Sequence, residues 1–294
     1  MKQLLLCLVF TSFIAVIMVS CKDDESINPA VTTPKLIFKF VFDSTQARLD
    51  NIGNPSVLPS NHGAQSPRFN KMSAHYIELA PGPYTLLGDG EVVFLNQETN
   101  LGGSTAIDFS KSYPAGNGQP FFAIPISQLT PGIYKWLRVS LAYQNYDIDF
   151  RYTLNNVNYD LSGTLASFIG YNSYVSTYNI KDSTVSVNAN RLQGYWAFET
   201  LYNVSQGQAP PGATTVPNPL FNTSPIPQGS CVVTSEFTTP LSITGTESSD
   251  IVVTVSLSTN KSFEWVEHST PGYFEPAAGD TVVDMGVRGM VVGF

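Results

Sequence analysis

Apolar and polar positions alternate with strand period along nearly the whole chain. Leu36-Ile37-Phe38-Lys39-Phe40-Val41-Phe42 is dense in aromatic and β-branched residues, and comparable runs recur at 72–79, 91–95, 120–126, 133–143, 146–153 and 157–168. Further runs fall at 183–188, 193–203, 230–238, 249–257 and 287–294. Pro81-Gly82, Gly88-Asp89-Gly90, Pro131-Gly132 and Pro271-Gly272 punctuate them as turns, and no stretch carries the 3.6-residue apolar stripe of a long helix. The pattern predicts an all-β fold, an antiparallel β-sandwich with long loops.

The rhythm breaks between 205 and 229. Prolines at 210, 211, 217, 219, 225 and 227 stand there among Gly, Asn and Thr, and their fixed φ and missing N–H donors allow neither ladder nor helix. A Pro-rich loop is expected at 205–229. Only residues 230–294 follow, a short length for an independent core, so one large domain is expected over 35–294, with two smaller sandwiches as the alternative.

The first 34 residues obey different rules. Lys2 precedes an apolar stretch from Leu4 to Val19 that only Thr11 and Ser12 interrupt, and the run ends at Ser20-Cys21. A spanning helix takes about 20 apolar residues with charge on both flanks, whereas a shorter run that stops at a small residue and a cysteine reads as an export signal. Met18-Val19-Ser20-Cys21 resembles a lipobox, with Met where Leu is usual. Residues 1–20 are therefore expected to be a lipoprotein signal peptide, Cys21 the acylated first residue of the mature chain, and 21–34 a flexible tether. The acyl chains on Cys21 would hold the protein to a lipid bilayer, since more than one chain is needed for stable anchoring. Lys22-Asp23-Asp24-Glu25 resembles the charged tag that routes Bacteroidota-type lipoproteins to the outer face of the outer membrane. The expected location is the outer membrane, facing the cell exterior, with a periplasm-facing anchor as the alternative.

Charge and composition narrow the partners. Loss of the signal removes Lys2 and no acid, leaving 14 basic against 23 acidic side chains, a net of −9. Nucleic acid is excluded, because phosphate neutralisation needs clustered cations and the sequence has none. At 43% hydrophobic and 12% aromatic the chain has ample material for a large core. Cys7 leaves with the signal and Cys21 is acylated, so Cys231 stands alone and no intrachain disulfide is expected.

Candidate chemistry is sparse. His62, His75 and His268 are the only histidines, and they lack the close spacing of a sequence-local metal site, so they form a metal set only if the fold brings them together. His75 shares strand parity with Ile77 and Leu79, which also reads as a half-buried histidine with backbone partners; His62 falls in a polar loop; His268 follows Glu264 and Glu267. Asp147, Asp149 and Arg151 project from one face of a strand. Same-face carboxylates about 7 Å apart satisfy the spacing of a glycoside hydrolase, but a solvated sheet face accounts for them as well. Neither a nucleophile elbow, nor a phosphate-cradling loop, nor a dinucleotide fingerprint occurs, so catalysis is not expected, and a hydrolase, the third reading, would need Asp147 and Asp149 to face a cleft instead of solvent. Asp43 and Asp50 flank a loop of the kind that binds calcium, or simply make turns. Asp43-Ser44-Thr45, Asp182-Ser183-Thr184 and Asp280-Thr281-Val282 resemble an O-glycosylation sequon.

A family resemblance rests on the order of several short motifs: the strand Leu36 to Phe42, the segment Phe69 to Leu79, Gly88-Asp89-Gly90, Phe122-Ala123-Ile124-Pro125-Ile126, and Pro131-Gly132-Ile133-Tyr134 entering a core strand. Leu192-Gln193-Gly194-Tyr195-Trp196-Ala197-Phe198-Glu199 supplies a Gly-Tyr-aromatic strand. This order resembles the MbnP-like family of extracytoplasmic β-sandwich proteins over about 35–294. The resemblance implies a copper site built from histidine and an oxidised tryptophan, for which Trp196 is the positional match, and a di-haem peroxidase-like partner. Aromatic packing explains Trp136 and Trp196 equally well.

Two functions follow as expectations. One is a non-catalytic surface lipoprotein that binds a glycan or a protein through exposed aromatic and polar residues. The other is a metal-handling protein, with copper or calcium as the ion, which requires at least two of His62, His75 and His268 to converge with a further donor.

Overall fold

The apolar runs at 133–143 and 146–153 join across Gln144 and Asn145 into one strand, Gly132–Leu154 (β8), of 23 residues. At ~3.4 Å per residue it extends over roughly 75 Å, far beyond the usual strand length. The computed structural model describes residues 33–209 and 231–294. The expected signal peptide, Cys21, the tether up to residue 32 and residues 210–229 of the expected loop lie outside them.

Along one edge β8 pairs with Arg68–Ala80 (β3); along the other it pairs first with Cys231–Ile243 (β14) and then with Val157–Phe168 (β9). Two sets of layers therefore share one backbone. In the first, Glu91–Leu95 (β4), β3, the N-terminal half of β8 and β14 pack against Lys35–Asp43 (β1), Pro120–Pro125 (β7), Ile251–Ser258 (β15) and Met290–Gly293 (β18). Leu36, Phe38 and Phe40 of β1 meet Ile77 and Leu79 of β3, Leu137, Val139 and Leu141 of β8, and Val253 and Val255 of β15 in one dry core. Each such side chain contributes roughly 1.5–3 kcal/mol relative to exposure.

In the second set, the C-terminal half of β8, β9, Tyr195–Glu199 (β12) and Val204–Gln208 (β13) form a sheet covered on both faces. Tyr143, Ala166, Phe168, Tyr195 and Ala197 pack under Asn172–Asn179 (β10) and Thr184–Leu192 (β11), whose sheet Glu98–Thr99 (β5) and Ala106–Asp108 (β6) complete. Tyr146, Ile148 and Leu165 pack on the opposite side, under His62–Gln65 (β2), Phe263–Val266 (β16) and Thr281–Asp284 (β17). Residues 33–294 make one compact unit.

The all-β, sandwich-like class is as expected, but the sheets are mixed. β1–β15, β14–β18 and β6–β10 are parallel pairs. Leu36 stands opposite Ile251, so no short hairpin ties the direction of one strand to that of the other. Residues 205–208 of the expected loop are strand instead, since Val204 to Gln208 pair with Glu199 to Tyr195. β2, β5, β6, β10, β16 and β17 were not expected from the apolar pattern; most are short and half-polar.

A buried ion pair fastens the turn-rich segment 81–90 to the sheet. Glu78 and Arg138 are cross-strand partners on β3 and β8, both essentially without solvent contact and 3.6 Å apart at Oε2 and Nη1. Glu78 Oε1 accepts from the amides of Gly88 at 2.9 Å and Gly90 at 2.7 Å, while Arg138 donates to the carbonyls of Thr85 and Leu86. A Cβ at Gly90 would lie 2.4 Å from the Leu79 carbonyl, so only glycine permits this approach. Arg138→Met strands a buried carboxylate, and its urea unfolding curve is expected to show a loss of about 3–5 kcal/mol. Adding Glu78→Gln should recover part of that loss; a double variant as unstable as the single one would mean that the charge pairing is immaterial.

Candidate functional site

Asn155 and Asn156 both have positive φ, 51° and 63°, and turn β8 into β9 as a two-residue hairpin loop. That turn sets Asp147 opposite Thr164, Asp149 opposite Ser162 and Arg151 opposite Asp160. These side chains share one face and extend beyond the strands that bury its base. Beyond Arg68, β3 no longer covers the edge of β8, and two other groups seal it. The Gln65 side-chain amide takes both backbone groups of Asp149, donating to its carbonyl at 2.7 Å and accepting from its N–H at 2.8 Å. The Arg151 N–H donates to the Phe274 carbonyl at 2.8 Å. An exposed strand edge is thereby closed to further pairing.

This closure carries Tyr273 to the site. Phe274 anchors the segment in the core beside Phe263 and Trp265, and the Arg151 guanidinium lies 3.4 Å from the centroid of the Tyr273 ring. Tyr273 remains 43% exposed. With Gln65, Asp149, Asp160, Ser162 and Gly272 it lines an open cleft of about 390 Å³.

Every charge in the cleft is matched. Arg68 binds both oxygens of Asp149, at 3.0 and 2.9 Å, and Ser162 donates to the same carboxylate at 2.5 Å. Arg151 binds both oxygens of Asp160, at 2.6 and 2.9 Å. Arg68 holds the Asp149 carboxyl below the ordinary carboxylate range, and Arg151 does the same to Asp160. A general acid needs the opposite shift. Asp147 accepts from Thr164 at 2.6 Å and Asn70 at 3.3 Å. What remains on offer is a rigid set of oriented donors and acceptors beside an aromatic ring.

The three histidines stand in separate surroundings. His62 begins β2 and is not a loop residue; its Nδ1 lies 2.5 Å from Glu264 Oε1. His75 is fully buried, not half-buried, and its Nε2 meets the Glu98 side chain at 3.1 Å instead of a backbone group. A register shift between Ala74 and Tyr76 leaves His75 as the extra residue of a bulge, which breaks the expected alternation with Ile77 and Leu79. The His268 N–H donates to Asp280. Among the described residues no group of three or more His, Cys, Asp or Glu side chains has the geometry to hold a metal ion.

Asp43 and Asp50 are occupied as turn-makers: Asp43 accepts from the amides of Thr45 and Gln46, and Asp50 from those of Ile52 and Asn54. Of the sequon residues, Ser44 and Thr281 are exposed, while the Ser183 hydroxyl donates to Glu199. Trp196 lines an apolar cavity of about 360 Å³ with Phe198, Phe263, Phe274 and Met285, and no histidine lines it. The fully buried tryptophan is Trp265, which the apolar pattern did not single out. The residues that form the cleft with Asp149 and Arg151, namely Gln65, Arg68, Asp160, Ser162 and Tyr273, were not expected either. Comparison of the chain with protein-family models, with curated proteins and with solved structures finds no match.

Glu264 ties the covering three-stranded sheet to the rest of the fold. Its Oε2 accepts from Arg48 at 3.0 Å and Arg288 at 2.9 Å, and Asp284 holds Arg288 from the other side at 2.6 Å. Burial works to raise the Glu264 pKa, but His62, Arg288 and Arg48 outweigh it and hold the group below its ordinary value of 4.5. A carboxylate lowered in the folded state stabilises fully above its unfolded pKa and loses that contribution as pH falls through the lowered value. The urea midpoint is expected to drop between about pH 5 and pH 3. Glu264→Gln should reduce stability at neutral pH and flatten that part of the profile; an unchanged slope would exclude Glu264 as its source.

Proposed function

We propose that this chain is a lipid-anchored outer-membrane protein, facing the cell exterior, whose β-sandwich module binds neutral glycans without turning them over. The supporting observation is the cleft beside Tyr273, in which two bidentate arginine–carboxylate pairs leave no net charge to attract an ion. Sugars present many weak donors and acceptors together with apolar ring faces. Planar side chains fixed by their own hydrogen bonds can meet the hydroxyls without being ordered on binding, which lowers the entropic cost. Tyr273 supplies a flat surface for a ring face. The sequence of residues 1–25, with Cys21 as the acylation point, supports the bilayer as the second partner.

Two measurements test this reading. Full-length protein in detergent should be retarded in native gels that contain a neutral polysaccharide. Tyr273→Ala should weaken retention at least about tenfold, and Tyr84→Ala, on a distant and highly exposed tyrosine, should not. Equal retention of all three proteins would remove Tyr273 from the site. Cys21→Ser should abolish acyl labelling and release the protein from membranes; persistence of both would refute the anchor.

A further inference from the structure

Resting on the glycan-binding reading, we infer that the ligand is a linear neutral chain held along its length, not at an end. The cleft beside Tyr273 does not stop at Ser162. That residue also lines a second cleft with Asp147, Thr164 and Lys181, and those three line a third with Asn70 and Asn145. The three clefts form one trough along the hairpin face. From Arg151 to Asn145 the strand rises about 20 Å, the length of roughly four pyranose rings.

Two features extend the logic of the first cleft to the far end. Asn70 is the extra residue of a bulge between Phe69 and Lys71, and its amide is turned to Asn145 at 3.0 Å and Asp147 at 3.3 Å. Lys71 and Lys181 stand with Asp147, Asp182 and Glu199 along the second and third clefts, an excess of one carboxylate that gives a polyanion nothing to bind. Glu199 is occupied there by the amides of Lys181, Asp182 and Ser183. A trough that is open, without an excess of cations and furnished with hydrogen-bonding groups throughout makes contacts with successive neutral sugars, so affinity grows with chain length until the trough is full.

The experiment begins with affinity electrophoresis of the full-length protein in gels containing amylose, mixed-linkage β-glucan, mannan or xylan, with polygalacturonate as the anionic comparison. Oligomers of two to six units of the retained polymer are then titrated by calorimetry. Affinity is expected to rise at least about tenfold from the dimer to the tetramer or pentamer and then level off. An Asn70→Ala, Lys181→Ala variant, both positions being exposed and its fold checked by circular dichroism, should weaken the hexamer about tenfold and leave the dimer unchanged. Dimer and hexamer binding alike would overturn the extended trough while leaving glycan binding intact. Retention by polygalacturonate alone would overturn neutrality. Retention by none of the polymers would overturn the glycan reading and this inference together.

Discussion

The continuity of β8 is the constraint from which the architecture follows. A strand whose flanks belong to different neighbours forces the two sets of layers to share one pleat, so the alternation that aims Leu137, Val139 and Leu141 at the first core also fixes which residues face each cover of the second. A slip of one residue would expose core side chains in both places at once. The irregularity at Ala142, where β3 passes from Ser73 opposite Tyr143 to Ala74 opposite Leu141, lies at the junction of the two sets and lets each keep its own parity. Cooperation between the cores is thus built into the backbone and needs no separate interface.

The site depends on the same strand in a different way. Where β3 ends, β8 runs on with one edge uncovered, and an uncovered edge must be protected. Protection comes from the Gln65 amide and the Phe274 carbonyl, groups that belong to the covering sheet and its loop. A structural need at the edge therefore places Tyr273 over Arg151. Glu264, joined to Arg48, Arg288 and His62 and paired across the strands with Ala64 beside Gln65, keeps that covering sheet in place, so a buried charge network behind the cleft governs how firmly its wall is held.

Strand period was enough to reveal the class of fold and most long strands, because burial on at least one face imposes it on the sequence. β4 and β9 were read with their observed limits. Short polar strands such as β2 and β5 escaped, since their pairing is set by partners remote in the chain and not by their own pattern. The opposition of Arg151 to Asp160 and Asp149 to Ser162 was legible in principle: two alternating runs separated by Asn155-Asn156 fix a hairpin register. Tyr273, Gln65 and Arg68 were not, because only the tertiary fold brings residues so distant in sequence to that hairpin. The histidine expectation failed to converge for the complementary reason, that parity along a strand does not survive a bulge and spacing in sequence does not set distance in space.

The arrangement of charge also decides how the carboxylate ladder of the hairpin is held. Asp147 and Asp149 project from one face, as alternation requires, and in isolation such a pair would repel and raise one pKa, the starting point for acid catalysis. Here Arg68 binds Asp149 and keeps its carboxyl below the ordinary range, while Thr164 donates to Asp147, so both are held by neighbours on β3 and β9. Releasing a proton donor from this face would require breaking a bidentate arginine contact and rebuilding the strand edge behind it. The same bonds that hold the carboxylates in place are made by residues that the sheet already needs for its own register.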